Sequence, residues 1–190
     1  GPGEYLATDF RVEPDASSAS YPLAAAAMVG GAVSVRGLGS KSVQGDIRFV
    51  EILESMGCLV TMSAHYTVVM RRRDTPLRGV EVDMADISDL VPTLAVVATQ
   101  AVTPTRITGV GFIRAKESDR LGDLAGELRT TGALVTVEPD GPGPVRDGAL
   151  LERFCRDGLR RQMIPFGFLT AQGVIGQIGD ALALEVTEKR

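Results

Sequence analysis

Tryptophan is absent from these 190 residues, histidine occurs once (His65) and cysteine twice (Cys58 and Cys155). Two cysteines are too few for a disulfide framework or a zinc centre. Cys58, set between Gly57 and Leu59-Val60, reads as a buried small hydrophobe. His65 falls in Ser63-Ala64-His65-Tyr66, a turn sequence, so it reads as a surface or packing residue and not as the base of a Ser-His-Asp triad. No apolar run approaches the length of a membrane span. The amino end lacks the basic-then-apolar pattern of a secretory signal, so a cytoplasmic location is expected. Positive charge is not in excess: 20 Lys and Arg face 24 Asp and Glu, for a net charge of -4. That balance excludes a general binder of nucleic acid or anionic membrane but leaves room for a local cationic pocket.

What is present suits a globular α/β protein. The chain is 44% hydrophobic, with helix formers and β-branched residues interspersed. Gly1-Pro2-Gly3 is set aside as a cloning remnant, and residues 4–190 are expected to form a single domain.

A pattern then repeats. Residues 4 to 13, with Phe10 and Val12 on one side, predict a strand. Asp15, Ser17 and Ser18 are good caps for the all-apolar helix Ser20 to Met28. Val33 and Val35 alternate with polar residues as a strand that stops at Gly37-Leu38-Gly39. A helix carries Ile47, Val50, Ile52, Leu53 and Met56, and residues 59–62 and 67–70 read as a hairpin ending in the solvated run Arg71-Arg72-Arg73. The second pass runs strand 81–84, caps Asp86, Ser88 and Asp89, apolar helix 90–102, strand 106–108 and Gly109-Val110-Gly111. Gly57-Cys58-Leu59-Val60-Thr61 matches Gly132-Ala133-Leu134-Val135-Thr136 at a distance of 132 − 57 = 75 positions. The economical reading is a repeated βαβαββ unit of roughly 70 residues. Two clear repeats, about 4–74 and 79–140, precede an irregular third at 145–190. The third is expected to open with a helix over 147–163, after the turn Gly141-Pro142-Gly143-Pro144. Neither Gly-x-Gly is a dinucleotide fingerprint; each reads as a tight strand exit.

The densest chemistry is Arg114-Ala115-Lys116-Glu117-Ser118-Asp119-Arg120, three cations and two carboxylates in seven residues. It leads into Leu121, Leu124, Ala125 and Leu128, the i, i+3, i+4, i+7 stripe of an amphipathic helix. Ser118 or Asp119 can cap that helix. A helix mouth with free N–H groups is a natural anion site. If the helix starts early enough, Lys116 and Arg120 share a face with Glu117 between them. The plainer alternative is a solvated first turn. Asp89, ahead of its own helix, is on spacing alone an N-cap.

Four stretches carry a resemblance: 13–21 (Glu-Pro-Asp-Ala-Ser-Ser-Ala-Ser-Tyr), 43–46 (Val-Gln-Gly-Asp), 89–95 (Asp-Leu-Val-Pro-Thr-Leu-Ala) and the charged run 114–120. Over about residues 5 to 137 the chain resembles the carboxy-terminal half of the 5-enolpyruvylshikimate-3-phosphate synthase (3-phosphoshikimate 1-carboxyvinyltransferase) family. The resemblance implies two domains of three such repeats with the active site between them, no metal and no organic cofactor. It implies transfer of the enolpyruvyl group of phosphoenolpyruvate to the 5-hydroxyl of shikimate-3-phosphate, with release of phosphate, as a step of aromatic amino-acid biosynthesis. By the same resemblance Lys116 contacts shikimate-3-phosphate and Arg120 binds phosphoenolpyruvate. Asp89 takes the proton of the attacking hydroxyl, and Glu117 delivers one to the methylene carbon.

The pattern also departs from the family. Phe112 stands where the family has asparagine, four residues before the lysine. Leu159-Arg160-Arg161-Gln162-Met163 is the best match to Asp-His-Arg-x-x-Met, so Arg160 would replace the second arginine for phosphoenolpyruvate while the histidine is gone. The family's two-domain pattern implies an amino-terminal half beyond these residues, so activity is expected to need a partner half-enzyme or self-association. Two other readings stay open: a folded domain that binds phosphorylated ligands weakly without catalysis, and a UDP-N-acetylglucosamine enolpyruvyl transferase.

Overall fold

A computed structural model describes residues 3, 7–9 and 12–137, together with the backbone of 148–152. Helix α1 (Ala16–Val29) starts where the Asp15 side chain accepts the Ser17 N–H at 2.9 Å. Strand β1 (Gly31–Arg36) follows, then a 3-10 turn over Gly45–Arg48 and helix α2 (Phe49–Ser55). The hairpin is β2 (Leu59–Met62) and β3 (Tyr66–Arg71), with His65 exposed at its turn. The next group is β4 (Glu81–Asp83), a 3-10 stretch Ala85–Leu90, α3 (Val91–Ala98) and β5 (Thr105–Thr108). A 3-10 turn over Gly111–Ala115, α4 (Arg120–Thr130), β6 (Leu134–Val137) and β7 (Gly148–Glu152) complete the series.

The strands form two sheets, ordered β1-β3-β2 and β4-β5-β7-β6. In the first, β1 and β2 each pair antiparallel with β3, as Val33↔Val69 and Val60↔Val69. In the second, β5 and β6 each pair antiparallel with β7, as Thr105↔Leu151 and Val135↔Leu151, while β4 joins β5 in parallel. So β1-α2-β2-β3 and β5-α4-β6-β7 have the same connectivity. The matched glycines agree in conformation too. Gly57 (φ 107°) and Gly132 (φ 92°) close α2 and α4, and Gly37 (φ 84°) and Gly109 (φ 76°) leave β1 and β5. Positive φ is cheap only for glycine, which explains why these positions stand out.

One hydrophobic cluster serves both sheets. Leu38, Phe49, Leu53, Met84, Leu94, Ile107 and Leu121 are all buried in it, as is Cys58. Burying a side chain of this size stabilises by about 1.5–3 kcal/mol each relative to exposure.

Three sequence expectations need correction here. The helix over 147–163 is not formed at its start, where Gly148–Glu152 is a strand inserted between β5 and β6; its remainder lies outside the described residues. Half of the strand expected over 4–13 lies outside them too; the described residues 7–9 and 12–13 have no regular structure, and Val12 is exposed. Arg71 is not a solvated strand end. Its guanidinium donates to the Met28 carbonyl at 3.0 Å and to those of Ala27 and Thr75. The unpaired carbonyls at the end of α1 draw it in. Arg72 does face solvent, pairing with Asp74 at 3.0 Å. Arg71→Met should therefore lower stability by about 2 kcal/mol, the scale of charge-assisted hydrogen bonds to buried carbonyls. A urea melt with an unchanged midpoint would mean water replaces the guanidinium without cost.

Candidate active site

The charged run folds as a junction and not as one helix. Residues 111–115 make a 3-10 turn, Lys116 leaves it at φ -76°, ψ -143°, and α4 begins only at Arg120. Asp119 fixes that start by accepting the Gly122 N–H at 2.9 Å, as the capping expectation had it. Lys116 lies outside the helix, so it does not share a helical face with Arg120.

Asp89 brings them together instead. Its Oδ1 accepts from Lys116 Nζ at 2.7 Å and from Arg120 Nη1 at 3.1 Å. Arg120 Nη2 reaches Glu117 Oε2 at 2.6 Å. Asp89 belongs to the 3-10 stretch before α3 and makes no capping bond; the N-cap of α3 is Leu90, without a side-chain bond. Asp86 likewise faces Arg48, at 3.5 Å, instead of capping α3. Because 3-10 turns precede α3, these side chains come too early to reach its free N–H groups.

Lys116 and Arg120 are about two-thirds or more covered, at 27% and 35% side-chain exposure, whereas Asp89 and Glu117 are exposed, at 64% and 78%. The hydrogen bond from Lys116, helped by the nearby charges of Lys116 and Arg120, holds Asp89 below its usual value against the opposing cost of desolvation. Glu117 is held low by its own backbone N–H first and by Arg120 second. Both carboxyls are depressed, so their contribution to stability is present above their ordinary values of 3.8 and 4.5 and is lost as pH falls through the folded values. Solvent screening keeps the Asp89 share below about 1 kcal/mol. Thermal melts should show the wild type ahead of Asp89→Asn by a few degrees at most near neutrality, with the gap closing in acid. A gap that widens in acid would reverse the assignment.

A second network holds the start of α1 and was not anticipated as a unit. Glu13 accepts from Ser42 Oγ at 2.7 Å and from Gln44 Nε2 at 2.9 Å, and Gln44 Oε1 accepts the Ala16 N–H at 2.9 Å. Ser17 donates to Asp46. The signal was there in the paired motifs at 13–21 and 43–46, whose polar residues are these partners. The Phe112 ring also passed unassigned: its centroid lies 5.9 Å from Lys116 Nζ. Arg160 lies outside the described residues.

A cleft of about 210 Å³ between Arg48, Glu51, Glu81, Asp83 and Ile87 includes none of Asp89, Lys116, Glu117 and Arg120. Among the described residues no cluster of His, Cys, Asp or Glu could hold a metal ion, and no helix is long and apolar enough to cross a membrane.

A family model described as EPSP synthase (3-phosphoshikimate 1-carboxyvinyltransferase) matches residues 1–150. The chain belongs to the EPSP synthase family. The curated 3-phosphoshikimate 1-carboxyvinyltransferase of Methanosphaerula palustris is 45% identical over 153 residues, 78% of this chain and 36% of that protein. That of Methanoculleus marisnigri is 50% identical over 136 residues, 72% of this chain and 32% of the relative. The chain thus spans about a third of the length of the relatives it matches. Among solved structures, EPSP synthase from Acinetobacter baumannii superposes with a TM-score of 0.65 at 22% identity, covering 98% of this chain and 50% of that one. The enolpyruvyl transferase NikO from Streptomyces tendae gives 0.52 at 19% identity, covering 76% of this chain and 31% of that one. These two likenesses show the shared fold.

Proposed function

We propose that this chain supplies one wall of an enolpyruvyl transferase site. The observation that carries it is the shared acceptor: one Asp89 oxygen holds both Lys116 and Arg120, with Glu117 on the other side of Arg120. Two cations lie beside two carboxylates at adjoining helix entrances. Phosphoenolpyruvate and shikimate-3-phosphate are both multiply anionic, and fixed cations are what brings them together.

On this reading Lys116 contacts shikimate-3-phosphate and Arg120 binds phosphoenolpyruvate. Asp89 accepts the proton of the 5-hydroxyl as its oxygen attacks the enol carbon, and Glu117 gives a proton to the methylene carbon. The tetrahedral adduct then loses phosphate, and a proton leaves the new methyl group to restore the double bond. Without ligand, both carboxyls are held in the charged form. An incoming anion that takes Arg120 from Glu117 removes the second of the two contacts that keep that carboxyl low, leaving its backbone N–H, and the anion's negative charge favours protonation. Binding would thereby arm the acid. Arg160 is assigned as a second arginine for phosphoenolpyruvate. A cytoplasmic site of action suits such small phosphorylated molecules.

We further infer that residues 16–71 and 81–152 are copies of one unit within a single domain, βαβαββ in the second and αβαββ among the described residues of the first. Shared connectivity and paired positive-φ glycines support this. Tyr21, Ala25 and Val29 on α1, and Pro92 and Val96 on α3, leave apolar stripes exposed for a third unit to cover. The opposite wall of the cleft would come from an amino-terminal half or a second copy, which suits carboxylates as exposed as Asp89 and Glu117.

The test is release of phosphate from phosphoenolpyruvate, with the chain alone and with a separately produced amino-terminal half. Release dependent on shikimate-3-phosphate supports the reading. Release only with UDP-N-acetylglucosamine, or none in any combination of folded parts, rejects it.

A further inference from the structure

We propose that Phe112 is a positioning residue that holds the Lys116 ammonium in place for its anionic ligand, an inference that rests on the anion-binding reading above. Phe112 sits in the 3-10 turn Gly111–Ala115 and is 52% exposed, so core packing does not account for an aromatic ring there. Its ring centroid lies 5.9 Å from Lys116 Nζ, within reach of a cation–π attraction. The same nitrogen is bonded to Asp89 Oδ1 at 2.7 Å. Lys116 is thus held by a ring and by a carboxylate, and its flexible four-carbon stem is restrained.

The ring changes how this position can act. Asparagine, the residue of the family pattern, offers a ligand a donor and an acceptor. A phenyl ring offers neither. It attracts the cation through its face and restricts where the ammonium can go. When an anion displaces Asp89 from Lys116, the ring remains as the fixed support. Phenylalanine thus forgoes a direct hydrogen bond to the ligand and places the lysine better. Less side-chain entropy is then given up on binding.

Phe112→Leu keeps an apolar side chain but removes the ring, and Phe112→Tyr keeps the ring. Two measurements decide: the NMR shift of the Lys116 ε-methylene protons, assigned with Lys116→Arg, and titration with shikimate-3-phosphate. The wild type and Phe112→Tyr should show these protons displaced upfield by the ring. Phe112→Leu should lose that displacement and bind shikimate-3-phosphate about two- to fivefold more weakly. Absence of any displacement in the wild type, or binding by Phe112→Leu that is equal or tighter, overturns the proposal. If the wild type binds no shikimate-3-phosphate, the assigned ligand is wrong. The shift comparison still decides whether the ring holds Lys116.

Discussion

Asp89→Asn is expected to abolish turnover while leaving anion binding intact or tighter. Asparagine keeps the size of the side chain but cannot take a proton from a hydroxyl, and loss of a positioned base costs roughly 10²–10⁴ in rate. The same change removes the charge that occupies both Lys116 and Arg120. Those cations then meet a phosphate without first giving up an internal partner. The two effects have opposite sign and one cause, which separates them from simple unfolding. Turnover is measured with an amino-terminal half present, and binding with phosphoenolpyruvate by calorimetry. Full turnover in the variant would remove Asp89 from the chemistry. Binding that collapses together with turnover would make it a structural clasp.

Gly39→Ala is expected to cost on the order of 3 kcal/mol, the upper end for overpacking against backbone. A Cβ there would lie 2.2 Å from the Ser63 carbonyl oxygen and 2.8 Å from the His65 nitrogen. Those atoms belong to the turn of the β2–β3 hairpin, which bonds the exit of β1 through Gly37 N–H to His65 O at 2.7 Å and Ser40 N–H to Ser63 O at 2.8 Å. Neither side can retreat without breaking such bonds. For a chain of this size the penalty corresponds to a fall in Tm of roughly 6–12 °C. A fall of only a degree or two would show that the turn yields cheaply.

Most of the helices and strands were legible because their apolar residues keep a clear period and glycine marks their ends. The stripe Leu121, Leu124, Ala125, Leu128 is such a case, and the first, third and fourth of these residues are buried. Pairing between distant strands was not legible. Gly148–Glu152 contains Ala149, Leu150 and Leu151, an apolar run that fits either a helix or a strand, and only its neighbours β5 and β6 decide. At the site, residue types and places came from motif likeness, while the link between them did not. Asp89 and Lys116 are 27 positions apart, and their 2.7 Å bond depends on how two 3-10 turns deliver them. Local pattern carries no information on that meeting. It could only suggest an N-cap, which the backbone in fact offers to no side chain at α3.

The place of β7 has a consequence for shortened forms. Gly148–Glu152 is last among the described strands in sequence yet sits inside its sheet, between β5 and β6. A product ending before residue 148 would retain Asp89, Lys116, Glu117 and Arg120 but have nothing to bridge those two neighbours. Each would then present a row of bare amide and carbonyl groups, a template for intermolecular pairing. Such a product would tend to precipitate, and so would a nascent chain stalled there on the ribosome, with its chemical groups all present and its architecture unsealed.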